Sequence, residues 1–335
     1  MEVLRKLLFP ISLIYALVVH VRNFLYDVGV FKSKAFATPT ICIGNLSVGG
    51  TGKTPMAEFL ISLLKEDYKV ALLSRGYRRE SKGFIAADSK SRVGDLGDEP
   101  YQISSKFPKI AVAVDADRRN GIRILEQKVS PDVILLDDAF QHRKVKYGCS
   151  MLLTAHDNLY VDDWYLPTGS LRDSKREAKR ADMIIVTKCP PDLDDSGRQR
   201  IIQKLKPEPH QQVLFSSLAY SSEFIRDRNG FTVDYFRDKK LTLVTGIANP
   251  EPLVAYLKEA GLAFEHLRFE DHHAFTENEL RQLRTREYLL TTEKDYVRLK
   301  GKIGNLYYLP IKHRFLGEGR KVLEASLGSF MKSNS

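Results

Sequence analysis

Apolar residues are spaced in two ways along the chain. Short runs rich in Val, Ile and Leu, at 40–44, 69–74, 110–114, 131–136, 149–154 and 181–187, read as strands buried on both faces. Between them, apolar positions recur every three or four residues, as in the segment from Met56 to about Lys65, and read as helices. Strand–helix alternation of this kind predicts an α/β fold, a mostly parallel sheet with helices on both faces. The rhythm breaks between 218 and 235, where two short runs flank Asn229-Gly230, a hairpin-turn dipeptide. It resumes with a strand at 241–245, a helix at 252–260 and a strand near 267. Thr276 and Glu279 then form a capping box, followed by strands near 290 and 307. Four units are expected: an N-terminal helix (1–31), a larger domain (32–217), a two-stranded ribbon (218–238) and a smaller α/β domain (239–335).

The first unit stands apart. Residues 7–19 are almost wholly apolar, with Arg5 and Lys6 before them and His20 and Arg22 after. The run falls short of the roughly 20 residues that span a bilayer. No small-residue cleavage site follows, and the helical pattern continues to Asp27. Two readings stand: a helix buried on the core, or one lying in a membrane surface with its basic residues at the headgroups. Pro10 bends or starts that helix.

Composition adds little until the motifs are read. The 335 residues are 43% hydrophobic and 28% charged, which suits a globular protein with a sizeable core. A formal charge of +10 favours an anionic partner. No aromatic-plus-basic nucleic-acid motif accompanies it, so nucleic acid is not expected as a partner. Cys42, Cys149 and Cys189 lie far apart and outside any C-x-x-C pattern, as in a reducing compartment.

The first buried run enters Ser47-Val48-Gly49-Gly50-Thr51-Gly52-Lys53-Thr54, and a helix begins at Pro55. Strand, glycine-rich loop and helix in this order make a phosphate-binding P-loop. Its N–H groups and the helix N-terminus face phosphate, Lys53 reaches the β- and γ-phosphates, and Thr54 ligates Mg²⁺. Ser47 stands where the strict motif has Gly. The run at 131–136 ends in Asp137-Asp138, a Walker-B-like strand end beside the metal. Together the two elements predict a site for a nucleoside triphosphate and Mg²⁺.

Other polar strand ends are less specific. Arg75, in Arg75-Gly76-Tyr77-Arg78-Arg79, and Arg118 either meet phosphate or are solvated. Asp98 and Glu99 precede Pro100 as helix-start residues do. Gln141 and His142 position phosphate or water, or satisfy local backbone. Asp271-His272-His273 offers three readings: a capping Asp with surface histidines, a metal pair made awkward by alternation along a strand, or a catalytic histidine brought over the nucleotide by domain closure.

Taken in order, these motifs, with Leu166-Pro-x-Gly-x-Leu-Arg172, Thr245-Gly-Ile-Ala-Asn-Pro250 and Thr291-Thr-Glu-Lys-Asp295, resemble the tetraacyldisaccharide 4'-kinases of lipid A synthesis. The resemblance runs from the N-terminal helix to about residue 300, and Ser47 is itself family-like. It implies transfer of the ATP γ-phosphate to the 4'-hydroxyl of a tetraacylated disaccharide 1-phosphate, giving lipid IVA. The setting implied is monotopic, on the anionic cytoplasmic face of the inner membrane, without an obligatory protein partner. By the same resemblance Asp98 is the catalytic base and His272 its partner. Thr54, Asp137 and Asp138 hold Mg²⁺, and Gln141 and Arg172 are site members. Asp173 stands where Glu is common, and Ala139 where Gly is usual. The rival reading is a P-loop switch or metallochaperone-type GTPase acting through a protein partner. Its deviant P-loop, however, carries Lys where this chain has Val48.

Overall fold

The computed structural model describes residues 7–334, so Arg5 and Lys6 lie outside the described residues. In chain order the elements begin with α1 (Phe9–Asp27), β1 (Thr40–Asn45), α2 (Lys53–Leu64), β2 (Val70–Ser74), β3 (Ile85–Ala86), α3 (Val93–Leu96) and α4 (Asp98–Lys106). Next come β4 (Ala111–Val114), α5 (Arg118–Lys128), β5 (Val133–Asp137), β6 (Cys149–Ala155), β7 (Met183–Thr187), α6 (Asp195–Leu205) and β8 (Gln212–Tyr220). β9 (Glu223–Arg226), β10 (Asn229–Thr232), β11 (Leu241–Thr245), α7 (Glu251–Glu259), β12 (Phe264–Arg268) and α8 (Glu277–Arg284) follow. The chain ends with β13 (Tyr288–Thr292), α9 (Glu293–Leu299), β14 (Leu306–Leu309), β15 (Ile311–Phe315) and α10 (Gly319–Ser333).

Among the described residues the strands form a nine-stranded sheet, β15-β8-β7-β6-β1-β5-β2-β4-β3, and a six-stranded sheet, β10-β9-β14-β13-β11-β12. In the larger sheet the strands from β8 to β4 pair in parallel, as the continuous apolar runs predict. β1 lies between β5 and β6, so the P-loop leaves the middle of the sheet. Apolar cores cover both faces, one holding Leu46, Phe140 and Leu152, the other Ile43, Leu60 and Leu135. Gly44 is needed on β1 because a Cβ there would lie 2.5 Å from Phe140 Cβ.

Two expectations about domain organisation are corrected. The hairpin turn is Asp227-Arg228, not Asn229-Gly230: its two residues have φ of 48° and 70°, and Asn229 already pairs with Arg226. That hairpin joins the edge of the smaller sheet through Ile225 and Tyr308. The link between the sheets is instead a double crossing. One strand leaves the larger sheet after Tyr220, and another re-enters it at Ile311, paired with Tyr220. Ser221 N–H donates to the Pro310 carbonyl at 2.8 Å between them. Residues 311–333 therefore return to the larger lobe, where β15 lies antiparallel to β8 and Leu323, Leu327 and Met331 of α10 enter its core. Antiparallel pairing on an otherwise parallel sheet is what a returning edge strand gives. The smaller lobe is thus an insertion, and it ends near residue 310.

α1 presents its faces in an unusual way. Ser12, Val19 and Asn23, on one side, are buried. Ser12 bonds the Thr168 hydroxyl at 2.8 Å, Tyr15 the Arg172 carbonyl at 3.0 Å, Arg22 the Gln141 carbonyl at 2.6 Å and Asn23 the Asp173 carboxylate at 2.7 Å. The opposite side carries Leu13, Ile14, Leu17, Val18, Val21 and Phe24, each about half or more exposed. The polar face is turned to the protein and the apolar face outward. That excludes the reading of α1 as a buried core helix.

Candidate functional site

The carboxyl ends of β1, β2, β5 and β6 meet at one edge of the larger sheet, where open α/β folds bind ligands. Past Asn45 the chain turns through 46–52 with Gly49 at φ 115° and Gly52 at φ 82°, left-handed conformations that favour glycine. Several side chains brace this loop. Asn45 Nδ2 donates to the Ser47 carbonyl at 2.6 Å, and the Ser47 hydroxyl to Asp163 at 2.8 Å. Gln141 Nε2 donates to the Asn45 carbonyl at 2.6 Å and Thr187 Oγ1 to the Thr51 carbonyl at 2.8 Å. A cavity of about 170 Å³ opens beside the loop, lined by Ser47, Gly50, Thr51, Thr154, Asn158 and Lys188.

Lys53 Nζ lies 3.2 Å from Asn45 Oδ1 and 3.6 Å from Asp138 Oδ1. Arg172 forms a two-pronged pair with Asp138, with Nη1 3.0 Å from Oδ2. Burial works against the Asp138 charge, but Lys53 and Arg172 hold its carboxyl well below the usual range. Asp137 behaves oppositely: burial, then the Asp138 charge, push it up to about 6. The Ser74 hydroxyl donates to it at 2.9 Å. The Thr54 hydroxyl has no protein partner among the described residues. Arg75 is exposed at the same sheet edge and also lacks one. Thr54, just past the loop that follows β1, and Asp137, at the end of the adjoining β5, are oxygen donors of the kind a hard divalent cation takes.

Across the lobe interface, Asp98 opens α4 and meets His272 of the loop after β12, with His272 Nδ1 2.9 Å from Asp98 Oδ2. His272 has φ 62°, and its N–H bonds the Gly246 carbonyl at 3.1 Å. Arg298 adds Nε at 3.1 Å and Nη2 at 2.5 Å to the same Oδ2. Burial pushes the Asp98 carboxyl up, but the His272 and Arg298 bonds outweigh it and hold the group well below the usual carboxylate range. The two histidines do not converge on one point. His272 faces Asp98, whereas His273 pairs with Glu279 at 3.0 Å, and no metal-binding group of His, Cys, Asp and Glu occurs among the described residues.

Arg118, expected at phosphate, is placed elsewhere. It is 2% exposed, and its guanidinium reaches the backbone carbonyls of Asp115, Ala116, Asp137 and Asp138 at 3.2–3.4 Å. It braces the end of β5. Asp173 is also buried, holding Asn23 and capping Ser174 N–H at 2.8 Å.

Sequence reasoning missed His313. This residue of β15 is 6% exposed, with Nε2 2.9 Å from the Gly52 carbonyl and Nδ1 2.9 Å from Ser216 Oγ. A carbonyl only accepts, so Nε2 carries the proton and Nδ1 accepts from serine. Burial pushes its pKa down to about 4. The unfolded chain binds this proton near pH 6.5, so stability present above that value is lost as pH falls toward 4. By pH 5 this one group is expected to cost about 2 kcal/mol, and His313→Asn should flatten that loss in urea unfolding run at pH 7 and pH 5. No sequence motif surrounds His313; only the return of β15 to the larger sheet puts it under the P-loop.

Comparison with known proteins agrees with this geometry. The family model described as tetraacyldisaccharide-1-P 4'-kinase matches residues 4–330. A tetraacyldisaccharide 4'-kinase of Flavobacterium johnsoniae is 46% identical over 100% of this chain and 99% of its own length. One from Bacteroides thetaiotaomicron is 44% identical over 88% of this chain and 83% of its own. The crystal structure of LpxK from Aquifex aeolicus in complex with ATP superposes with a TM-score of 0.81 at 31% identity, covering 98% of this chain and 99% of that one. These matches favour the kinase over the switch or GTPase reading. With its P-loop, its paired aspartates and homology along its whole length, the chain belongs to the tetraacyldisaccharide 4'-kinase family of lipid A synthesis.

Proposed function

We propose that the two lobes act as the two halves of one phosphotransfer site, with Asp98 and His272 activating the 4'-hydroxyl of a tetraacyldisaccharide 1-phosphate. The contact of Asp98 with His272 at 2.9 Å carries this reading, because it joins a carboxylate of the larger lobe to an imidazole of the smaller one. The P-loop N–H groups and Lys53 hold the ATP phosphates. Thr54 and Asp137 would hold Mg²⁺, which would supply positive charge for the transferring phosphoryl group, whereas Asp138, expected as a third ligand, pairs with Lys53 and Arg172 and orients them. The hydroxyl proton passes to Asp98 as its oxygen bonds to the γ-phosphorus. The electron pair of the broken P–O bond leaves on ADP. Arg75, free at the same sheet edge, is suited to the transferred phosphate. Arg172 and Gln141 act indirectly, one through Asp138 and the other by bracing the loop.

The acceptor carries four acyl chains, and the outward apolar face of α1 supplies the matching surface. Because polar contacts hold α1 from Ser12 to Asn23, it lies along the protein rather than leaving it, which fits a monotopic mode on the cytoplasmic face of the inner membrane. Lys32, Lys34, Lys144 and Lys146 are exposed beside its end, complementing anionic headgroups. No protein partner is needed for this scheme. The test is formation of 4'-phosphorylated lipid from detergent-dispersed disaccharide and Mg-ATP. Absence of product, with ATP hydrolysis that depends on an added protein, would overturn the reading.

A further inference from the structure

The Thr291-Thr-Glu-Lys-Asp295 run has no role in the scheme above, yet it opens α9, and α9 grips both ends of α4. At one end Glu293 Oε1 lies 2.7 Å from Lys106 Nζ, which also meets Glu58 of α2 at 2.5 Å. At the other end, where Asp98 begins α4, Arg298 closes on the carboxylate. The guanidinium is anchored first on its own lobe: Nη1 is 3.1 Å from Asp295 Oδ1. Asp295 is fully buried, its Oδ2 accepting from Gly246 N–H at 2.8 Å and the Thr292 hydroxyl at 2.7 Å. Arg298 therefore reaches across the interface from a fixed base, and its side chain is only 9% exposed.

All the donors that meet Asp98 converge on one oxygen. Arg298 Nε, Arg298 Nη2 and His272 Nδ1 all lie within 3.1 Å of Oδ2. Oδ1 takes no hydrogen bond among the described residues. Lys294 Nζ lies 2.8 Å from His272 Nε2, and an ammonium only donates. With Nε2 accepting, Nδ1 donates its proton to Asp98 Oδ2, and Arg298 Nη2, which also lies 3.0 Å from Nδ1, spends its hydrogen on the Asp98 carboxylate rather than on the ring. The other groups facing the cluster are Asp271, 3.6 Å from Lys294, Glu99, 3.9 Å from Lys294, and the Tyr77 ring, 6.1 Å from the His272 ring.

We propose that Arg298 is a positioning residue for acceptor activation, turning Asp98 so that Oδ1 faces the 4'-hydroxyl, while Lys294 fixes the His272 tautomer that supports it. This rests on the Asp98–His272 reading above. A guanidinium fork holds a carboxylate in one orientation, which a single ammonium does not. The cation beside Asp98 also keeps it ionised, so its loss has a signature in pH as well as in rate.

The test uses the full-length enzyme with Mg-ATP and micellar tetraacyldisaccharide 1-phosphate. Arg298→Gln is expected to lower kcat by about 10²-fold with KM for ATP within about threefold of wild type. The acid limb of its kcat–pH profile should move up by about one unit or more. Arg298→Lys keeps the charge without the fork, so its acid limb should stay in place while kcat remains reduced. In an Asp98→Asn background, Arg298→Gln should cause no further loss, as expected of residues acting as one unit. An unmoved acid limb, or losses that multiply with those of Asp98→Asn, would show that Arg298 only packs the interface and overturn the proposal. Full activity of Asp98→Asn alone would overturn the underlying pair as well, which separates the two failures.

Discussion

Asp98→Asn is expected to lower kcat by about 10²–10⁴-fold, the usual contribution of a positioned general base, while ATP binding stays within about threefold. The split follows from where Asp98 sits. It belongs to α4 at the lobe interface, and its partners, His272 and Arg298, come from the smaller lobe. None of them touches the P-loop, so the nucleotide subsite should survive the substitution. Asparagine keeps the shape but cannot take a proton. Single-turnover phosphorylation beside equilibrium ATP binding checks this; collapse of ATP binding would make Asp98 a structural residue instead.

The second large effect concerns α1. Replacing Leu13, Leu17, Val21 and Phe24 together by Glu is expected to abolish flotation with anionic vesicles, a fall of at least about 10²-fold in partition. Each substitution removes an apolar side chain worth roughly 1.5–3 kcal/mol when fully buried and adds a charge that the surface repels. On detergent-dispersed acceptor kcat should change little, because the polar face of α1 is untouched, while KM for the acylated acceptor should rise with the loss of the apolar face. Deleting residues 1–22 is a poorer experiment. It removes the Ser12, Tyr15 and Arg22 contacts that hold the Thr168–Arg172 loop and Gln141, so it would damage the site and the anchor together. Unchanged flotation of the quadruple variant would exclude α1 as the anchor.

These expectations draw unequally on sequence and structure. The larger sheet was legible because parallel strands buried on both faces leave continuous apolar runs, and its P-loop and Asp137-Asp138 have a spacing that chemistry demands. The Thr276–Glu279 capping box was equally local: Glu279 N–H meets the Thr276 hydroxyl at 3.3 Å and Thr276 N–H meets the Glu279 carboxylate at 2.7 Å. Arg118 was misread because a basic residue after a strand looks the same whether it faces phosphate or four carbonyls. The hairpin was misplaced by two residues because Asp and Arg rarely adopt positive φ, and Asn229-Gly230 was the stronger local signal. Arg298 and His313 had no local signal. Their partners lie 200 and 261 positions away in the chain, and only the topology brings them together.

The double crossing at Tyr220 and Ile311 has one more consequence. Since these two residues are paired neighbours, the ninety residues between them could be replaced by a two-residue turn without moving either strand. The excised protein would keep the nine-stranded sheet, α10 and the His313 contact with the P-loop, and should fold and bind nucleotide. It would lack both the imidazole and the guanidinium that meet Asp98. On the proposed mechanism nucleotide holding and acceptor activation would be separable modules, one threaded into the other at a single point, and catalysis would require the guest module to fold back onto its host.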